Sequence, residues 1–356
     1  MIKIAYVINY IVKNGPSNVV LNLINNLDKS KYKITLITLF DGNDAEVVKN
    51  LKKENIEVRE CTSINRMGCV LGHANEFEKY IVKQNFDIIH THGFIPDIVL
   101  SRAKVRSKKI TTIHNNMYED YLTSYGYIKS RVYIKLHLRA LKNFDKCICC
   151  SKSVYDVLNK KIRNTLYIRN GIEPKKAKSI ITRSKLKIPD GATVFIFVGA
   201  LNSRKNIVNL IKKFVKYHNE DEYLLVLGDG EKKNECLINA DENVVLLGFQ
   251  SDTTAYMNIS NVYISDSKSE GFSIAVLEAL ACGLLLFLSD IPSHKEIVEM
   301  EQELYIGEIF DDRSFDEKLN KMRKAEIEKN EIIKFQKEKL SAKQMAKEYM
   351  KEYEKD

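Results

Sequence analysis

An alternation of short apolar segments with stretches of helical spacing runs through this chain twice, and it constrains the fold more than any other feature. Strand candidates fall at 2–9, 33–40, 56–60, 86–91, 109–114, 145–150 and 165–169, separated by helical stretches such as 16–27, 44–54, 73–84 and 127–143. Near-continuous apolar strands between amphipathic helices are the pattern of a parallel sheet covered on both faces. The pattern breaks at Asn170-Gly171-Ile172-Glu173-Pro174, passes a basic stretch, and resumes after the turn residues Pro189-Asp190-Gly191. A second alternation follows, with strands at 193–199, 222–228, 243–247, 261–265 and 284–288 and helices at 205–218, 231–239, 252–259 and 273–282. The expected organisation is an N-terminal domain over 1–172, a linker over 173–190 and a second domain over 191–312. Closing helices over 313–356, with apolar positions such as Ile327, Ile332, Phe335, Tyr349 and Tyr353, are expected to pack back toward the first domain. Two doubly wound domains facing one another would place the C-terminal ends of their strands, and so their ligand loops, around one cleft.

Composition narrows the class. Hydrophobic residues make up 44% of the 356 and charged residues 29%, the balance of a globular protein with a proper core. The longest nearly unbroken apolar stretch, 274–288, contains Glu278 and Gly283 and is too short to span a bilayer. The first residues read directly as a strand, without a charged leader and apolar run, so a cytoplasmic protein is expected. The seven cysteines are an odd number in a chain too long to need staples, and Cys147-Ile148-Cys149-Cys150 lies in a strand candidate, so they read as packing residues. Net charge is +9 but uneven: residues 1–172 hold 28 basic and 15 acidic residues, and 102–169 alone hold 16 and 4. An anionic partner for that surface is implied. Nucleic acid fits poorly, because the basic region lacks an RNA-binding signature or an interleaved aromatic platform.

Three segments have the residue types that chemistry needs. In Ser269-Glu270-Gly271-Phe272-Ser273-Ile274-Ala275-Val276-Leu277-Glu278, Glu270 lies in a loop after a strand and Glu278 inside the following helix. Backbone N–H groups at 271–274 and the helix dipole suit a diphosphate, and the two carboxylates suit ribose or sugar hydroxyls. A bare carboxylate on an apolar helix is costly, which favours a ligand at Glu278. In Gly199-Ala200-Leu201-Asn202-Ser203-Arg204-Lys205, a strand end leads to two adjacent cations able to meet a pyrophosphate. His90, His92 and His114 end two strands of the first sheet, where cleft residues are expected. His90 and His92 share a face, but two local ligands do not make a zinc site.

These segments resemble glycosyltransferase family 4, and the resemblance extends over nearly the whole chain. Its most specific part is the Glu, seven residues, Glu arrangement in a Gly-Phe-Ser context. The resemblance implies the α/β GT-B fold, two Rossmann-like domains facing an interdomain cleft, and transfer of a sugar from a nucleotide carrier with retention of configuration. It implies that Glu270 contacts donor-sugar hydroxyls, that Glu278 binds the ribose, and that Gly271, Phe272, Ser273 and Ile274 hold sugar and phosphates. Arg204 and Lys205 would serve the diphosphate, His114 the transferred sugar, Gly15 a phosphate loop, and Gly230, Phe249 and Gln250 the nucleotide side. Ala200 stands where many relatives have Arg, and Gly283-Leu284-Leu285 lacks a proline common there.

The expected substrates are a nucleotide diphosphate sugar, UDP-linked by preference, and a lipid-linked or oligosaccharide acceptor of bacterial surface polysaccharide. No metal or other cofactor is expected. Along Tyr127 to Asn143, Arg131, Lys135, Arg139 and Lys142 form a basic stripe beside Tyr127, Ile134, Leu138 and Leu141. This is a candidate surface for the acceptor or for peripheral attachment to an anionic membrane. Two other readings fit the same scaffold, a sugar-nucleotide epimerase and a non-catalytic GT-B-like partner subunit. The oligomeric state is not legible in the sequence.

Overall fold

The computed structural model describes residues 1–12, 14–61, 66–71, 74–326 and 328–355. Ile327 and the start of the helix expected at 73–84 lie outside the described residues. The chain forms two compact units, Met1–Gly171 with Ala342–Asp356, and Ile172–Ser341. The stretch 173–190, expected as a linker, belongs to the second unit. Arg183 anchors it there, donating to the carbonyls of Ile259 and Ala192 and to Asn261 Oδ1. The closing helices are likewise divided. Phe315–Arg323 and Lys329–Lys339 belong to the second unit, and only Ala342–Glu354 belongs to the first.

The first unit is a seven-stranded parallel sheet built from β1 (Ile2–Ile8), β2 (Tyr32–Thr38), β3 (Glu57–Glu60), β4 (Ile88–His92), β5 (Lys108–Ile113), β6 (Lys146–Cys149) and β7 (Thr165–Tyr167). The order is β3-β2-β1-β4-β5-β6-β7. The second sheet comprises β8 (Thr193–Val198), β9 (Glu222–Leu227), β10 (Val244–Gly248), β11 (Val262–Ser265), β12 (Leu285–Ser289) and β13 (Gly307–Phe310), in the order β10-β9-β8-β11-β12-β13. β13 had no counterpart in the sequence reading. It is four residues long and opens on Gly307, whose φ of +156° and close approach to the Leu286 carbonyl exclude a side chain.

The central strands are buried on both faces, which is why they read as unbroken apolar runs. All seven cysteines are free and buried, with Cys147 and Cys149 inside β6. In each sheet the strand order reverses once, between β1 and β4 and between β8 and β11. Loops leaving the C-terminal ends of those strand pairs flank a crevice in a doubly wound sheet. His92 and the segment containing Asn14 and Gly15 follow one reversal, and Arg204, Lys205 and Glu270 follow the other.

Candidate active-site residues in the two units

In the second unit the loop after β8 and the loop after β11 meet through a buried ion cluster. Glu270 has a side chain only 8% exposed, and its two oxygens face Arg204 Nη1 at 3.1 Å and Lys205 Nζ at 2.5 Å. Arg204 Nη1 also donates to the Ser269 carbonyl at 2.8 Å, tying the two loops together. Burial alone would raise the Glu270 pKa, but Lys205 and then Arg204 overrule it and hold the carboxyl at about 2. Glu270 is therefore an anion at any working pH. It can accept hydrogen bonds and stabilise positive charge, but it has no proton to give.

The helix Ile274–Ala281 begins directly after this loop, capped by Ser273, whose side chain makes no capping hydrogen bond. Gly271, Phe272 and Ser273 are buried and Ile274 is partly so. Glu278 lies one and a half turns into the helix, its side chain 16% exposed, with Lys175 Nζ 3.1 Å from Oε1. Glu270 and Glu278 both act on the buried Tyr263 hydroxyl, which burial first, and then these anions, push far up.

His294, on the helix Pro292–Val298, completes the cluster and was not singled out in the sequence. It is 1% exposed, with Nδ1 3.0 Å from the Ser289 carbonyl and Nε2 without a partner. Burial lowers its pKa to about 4, although the Glu270 carboxylate pulls the other way, so it is neutral at pH 7. The Nδ1 contact places its proton there and leaves Nε2 as an acceptor. Only its place after a buried strand could have marked it beforehand.

Further residues expected near a nucleotide lie in two loops, after β9 and after β10. Gly230, at φ +157°, passes so close to the Leu201 carbonyl that a Cβ would sit 2.5 Å from it, and Gly228 is tighter still against Gly199. Phe249 is 69% exposed, a large aromatic ring left in water just beyond β10. Gln250 turns back to its own loop, donating to the Leu247 carbonyl at 2.8 Å.

The first unit has a polar and aromatic cavity of about 260 Å³, whose wall includes Asn14, Ser17, His92, His114, Tyr121 and Tyr125. Gly15 opens the neighbouring helix Gly15–Asn26, whose cap is Asn14 accepting from the Ser17 amide. His114 Nε2 lies 3.0 Å from His92 Nδ1, and the His92 Nε2 atom is buried without a partner. Burial lowers the His114 pKa to about 4, so at neutral pH its ring is uncharged and offers hydrogen bonds rather than charge. His90 does not join them in the cavity wall. Its ring is held by Tyr353 Oη and Thr112 Oγ1, each at 2.8 Å, and Tyr353 in turn meets Tyr6. His90 is a structural histidine, locked by the last helix of the chain.

The basic stripe lies on the helix Met117–Leu141, which is interrupted at Gly126 (φ 73°, ψ 175°), so its second part begins where the sequence suggested. Arg131, Lys135, Arg139 and Lys142 are exposed. Their apolar company differs from the expectation: Leu141 is buried in the core, and the exposed apolar residues are Tyr127, Ile128 and Val132, at 66%, 79% and 54%. Among the described residues, no helix is long and apolar enough to cross a membrane.

Two doubly wound parallel sheets in one chain are the GT-B architecture, and the similarity of this chain to known proteins makes it that of a glycosyltransferase. Residues 13–176 match the family model Glycosyltransferase Family 4, and residues 179–339 the model Glycosyl transferases group 1. The chain is 30% identical over 312 residues to the O-antigen biosynthesis glycosyltransferase WclY of Escherichia coli, covering 83% of this chain and 82% of that one. It is 25% identical over 337 residues, covering 88% and 86%, to UDP-Gal:alpha-D-GlcNAc-diphosphoundecaprenol alpha-1,3-galactosyltransferase of Escherichia coli. In fold it is similar to Anabaena Alr3699/HepE, solved in complex with UDP and glucose, with a TM-score of 0.78 at 15% identity over 99% of both chains. The chain belongs to glycosyltransferase family 4.

Proposed function

We propose that this enzyme transfers a hexosyl or N-acetylhexosaminyl unit, with retention, from a UDP-sugar to a hydroxyl of a lipid-linked saccharide in bacterial surface polysaccharide assembly. The observation that supports it most is the Glu270 cluster. With Arg204 and Lys205 it carries a net positive charge beside the start of the helix Ile274–Ala281. As the anomeric bond breaks, negative charge grows on the departing diphosphate, and these cations and helix amides stabilise it more than they stabilise the bound donor. The ionised Glu270 accepts from sugar hydroxyls and faces the positive charge that develops on the ring. Glu278 takes the ribose hydroxyls, exposed Phe249 offers a face for the base, and the first-unit cavity with His114 receives the acceptor. The relatives' activities, O-antigen glycosyltransfer and galactosyl transfer to a GlcNAc-diphospholipid, agree with this choice of substrates.

No metal is needed in this reading, since Arg204 and Lys205 supply the positive charge, and turnover is expected to survive EDTA. The exposed Ile128 and Val132 beside Arg131, Lys135, Arg139 and Lys142 suit an anionic bilayer carrying the acceptor. The test is incubation with a panel of UDP-hexoses and UDP-N-acetylhexosamines and a short-tailed GlcNAc-diphospholipid, with the product analysed by mass and anomeric coupling. Transfer giving an α-linked product is expected. Conversion of the UDP-sugar without acceptor would instead make the protein an epimerase, and binding of UDP-sugar with no turnover on any acceptor would make it a silent partner.

A further inference from the structure

Along the first-unit cavity runs a buried chain of hydrogen bonds from four elements. Asp97, on the helix Phe94–Arg102, is 1% exposed. Its Oδ1 accepts from the Thr91 hydroxyl and from Thr111 Oγ1 at 2.8 Å, and its Oδ2 lies 2.7 Å from His137 Nε2. His137 Nδ1 in turn lies 2.7 Å from Tyr121 Oη. Asp97, His137 and Tyr121 all contribute to the cavity wall.

The order of these groups sets the direction of each bond. Three donors converge on Asp97, so His137 must carry its proton on Nε2 to be one of them. In its neutral Nε2-protonated tautomer that imidazole presents a bare Nδ1, to which the Tyr121 hydroxyl donates. Tyr121 has spent its only proton on the protein, and its oxygen can only accept from whatever enters the cavity. Asn9 Oδ1, buried and without a partner in the same wall, is a second acceptor. Two acceptor oxygens among Tyr10, Phe94 and Tyr125 ask for a ligand that brings hydroxyl donors and a ring face, which is a saccharide.

We propose that Tyr121 is a specificity-determining contact that accepts a hydrogen bond from a hydroxyl of the acceptor saccharide, and that Asp97 and His137 are positioning residues that fix its polarity. The inference rests on the reading that the acceptor saccharide occupies the first unit. Tyr121→Phe keeps the ring and leaves the buried Asp97–His137 pair in place. In the full-length enzyme with a UDP-sugar and the GlcNAc-diphospholipid, it is expected to raise KM for that acceptor at least tenfold while kcat and the UDP-sugar KM move less. Asp97→Asn keeps the shape but can donate to His137 Nε2, turning the imidazole so that Nδ1 donates to Tyr121 and the tyrosine becomes a donor. The same rise in acceptor KM is expected, and the double variant should be no worse than Tyr121→Phe alone, because Asp97 acts through Tyr121.

Nitrogen-15 NMR of the histidines reads the polarity without any acceptor: His137 protonated on Nε2 in the wild type, and on Nδ1 in Asp97→Asn. A wild-type His137 protonated on Nδ1 overturns the inference, and so does a Tyr121→Phe enzyme whose acceptor KM is unchanged. Losses in Asp97→Asn that add to those of Tyr121→Phe and fall on kcat equally overturn the positioning role. If the wild type ignores the GlcNAc-diphospholipid while binding UDP-sugar, the acceptor reading fails instead, and the histidine tautomer still decides the polarity.

Discussion

At the scale of single residues, Glu270 has two tasks that substitution would separate. On the proposed reading Glu270→Gln removes the anion that would face the transferred sugar, and turnover is expected to fall on the order of 10²–10³-fold. It also leaves Lys205 and Arg204 facing a neutral amide in a buried place, a loss of about 3 kcal/mol in the empty protein. A bound UDP diphosphate would replace the missing negative charge, so UDP should raise the melting temperature of Glu270→Gln more than that of the wild type; an equal shift would mean that the two cations do not reach the phosphates. The sequence marked Glu270, Glu278, Arg204 and Lys205 through spacing and charge, because loops after strands and helix starts have local signatures. It did not mark the ion pairing among them, since Glu270 and Lys205 are 65 residues apart and only the sheet order brings them together. His294, Tyr121 and His137 were hidden for the same reason. A lone histidine or tyrosine in an apolar neighbourhood looks the same whether it packs or binds.

Among the elements, two make predictions of different kinds. The strand-end glycines of the second unit are packed backbone to backbone: a Cβ on Gly228 would meet the Gly199 carbonyl oxygen at 1.8 Å. Gly228→Ala should destabilise the protein by about 2–4 kcal/mol and weaken UDP-sugar binding with it, measurable by urea unfolding with and without UDP. The helix after Gly126 bears on the proposed membrane affinity rather than on folding. Reversing Arg131, Lys135 and Arg139 to Glu should leave the melting temperature close to that of the wild type while abolishing co-sedimentation with phosphatidylglycerol vesicles. At about 1 kcal/mol per basic residue near an anionic surface, removing three costs on the order of 10²-fold in partitioning. Most strands and long helices were legible because their apolar periods are strong. β13 was not, because a four-residue edge strand opening on glycine has no period to read. Nor was the inward turn of Leu141, which depends on where the helix lies against its sheet.

For the molecule as a whole, buried histidines set the acid limit. Burial holds His90 at about 3, His114 and His294 at about 4, and His92 well below its ordinary value. Each is neutral in the folded protein yet takes a proton near pH 6.5 once unfolded. The stability they permit is therefore present above pH 6.5 and is lost as pH falls toward 4 and below, at up to about 1.4 kcal/mol per pH unit for each. Glu270 contributes in the same direction but later, between its unfolded value of 4.5 and about 2. The urea midpoint should thus fall steeply from pH 6.5 to 4.5, and His294→Asn should flatten the slope; a midpoint constant over that range would refute the account. The division of the chain at 341/342 was not legible, because the closing helices share one Lys- and Glu-rich composition. What separates Ala342–Glu354 is tertiary, the reach of Tyr349 and Tyr353 to Thr112, His90 and Tyr6.

That reach has a consequence for biosynthesis. The core of the first unit is completed by two tyrosines that leave the ribosome 263 and 237 residues after the histidine and threonine they clasp. Residues 172–341 can settle while translation is still under way, whereas the sheet of the first unit must wait, incompletely sealed, for the helix Ala342–Glu354. A chain released early at residue 341 should emerge with that sheet open and prone to aggregate, and a synthetic peptide of residues 342–356 added during refolding should rescue it.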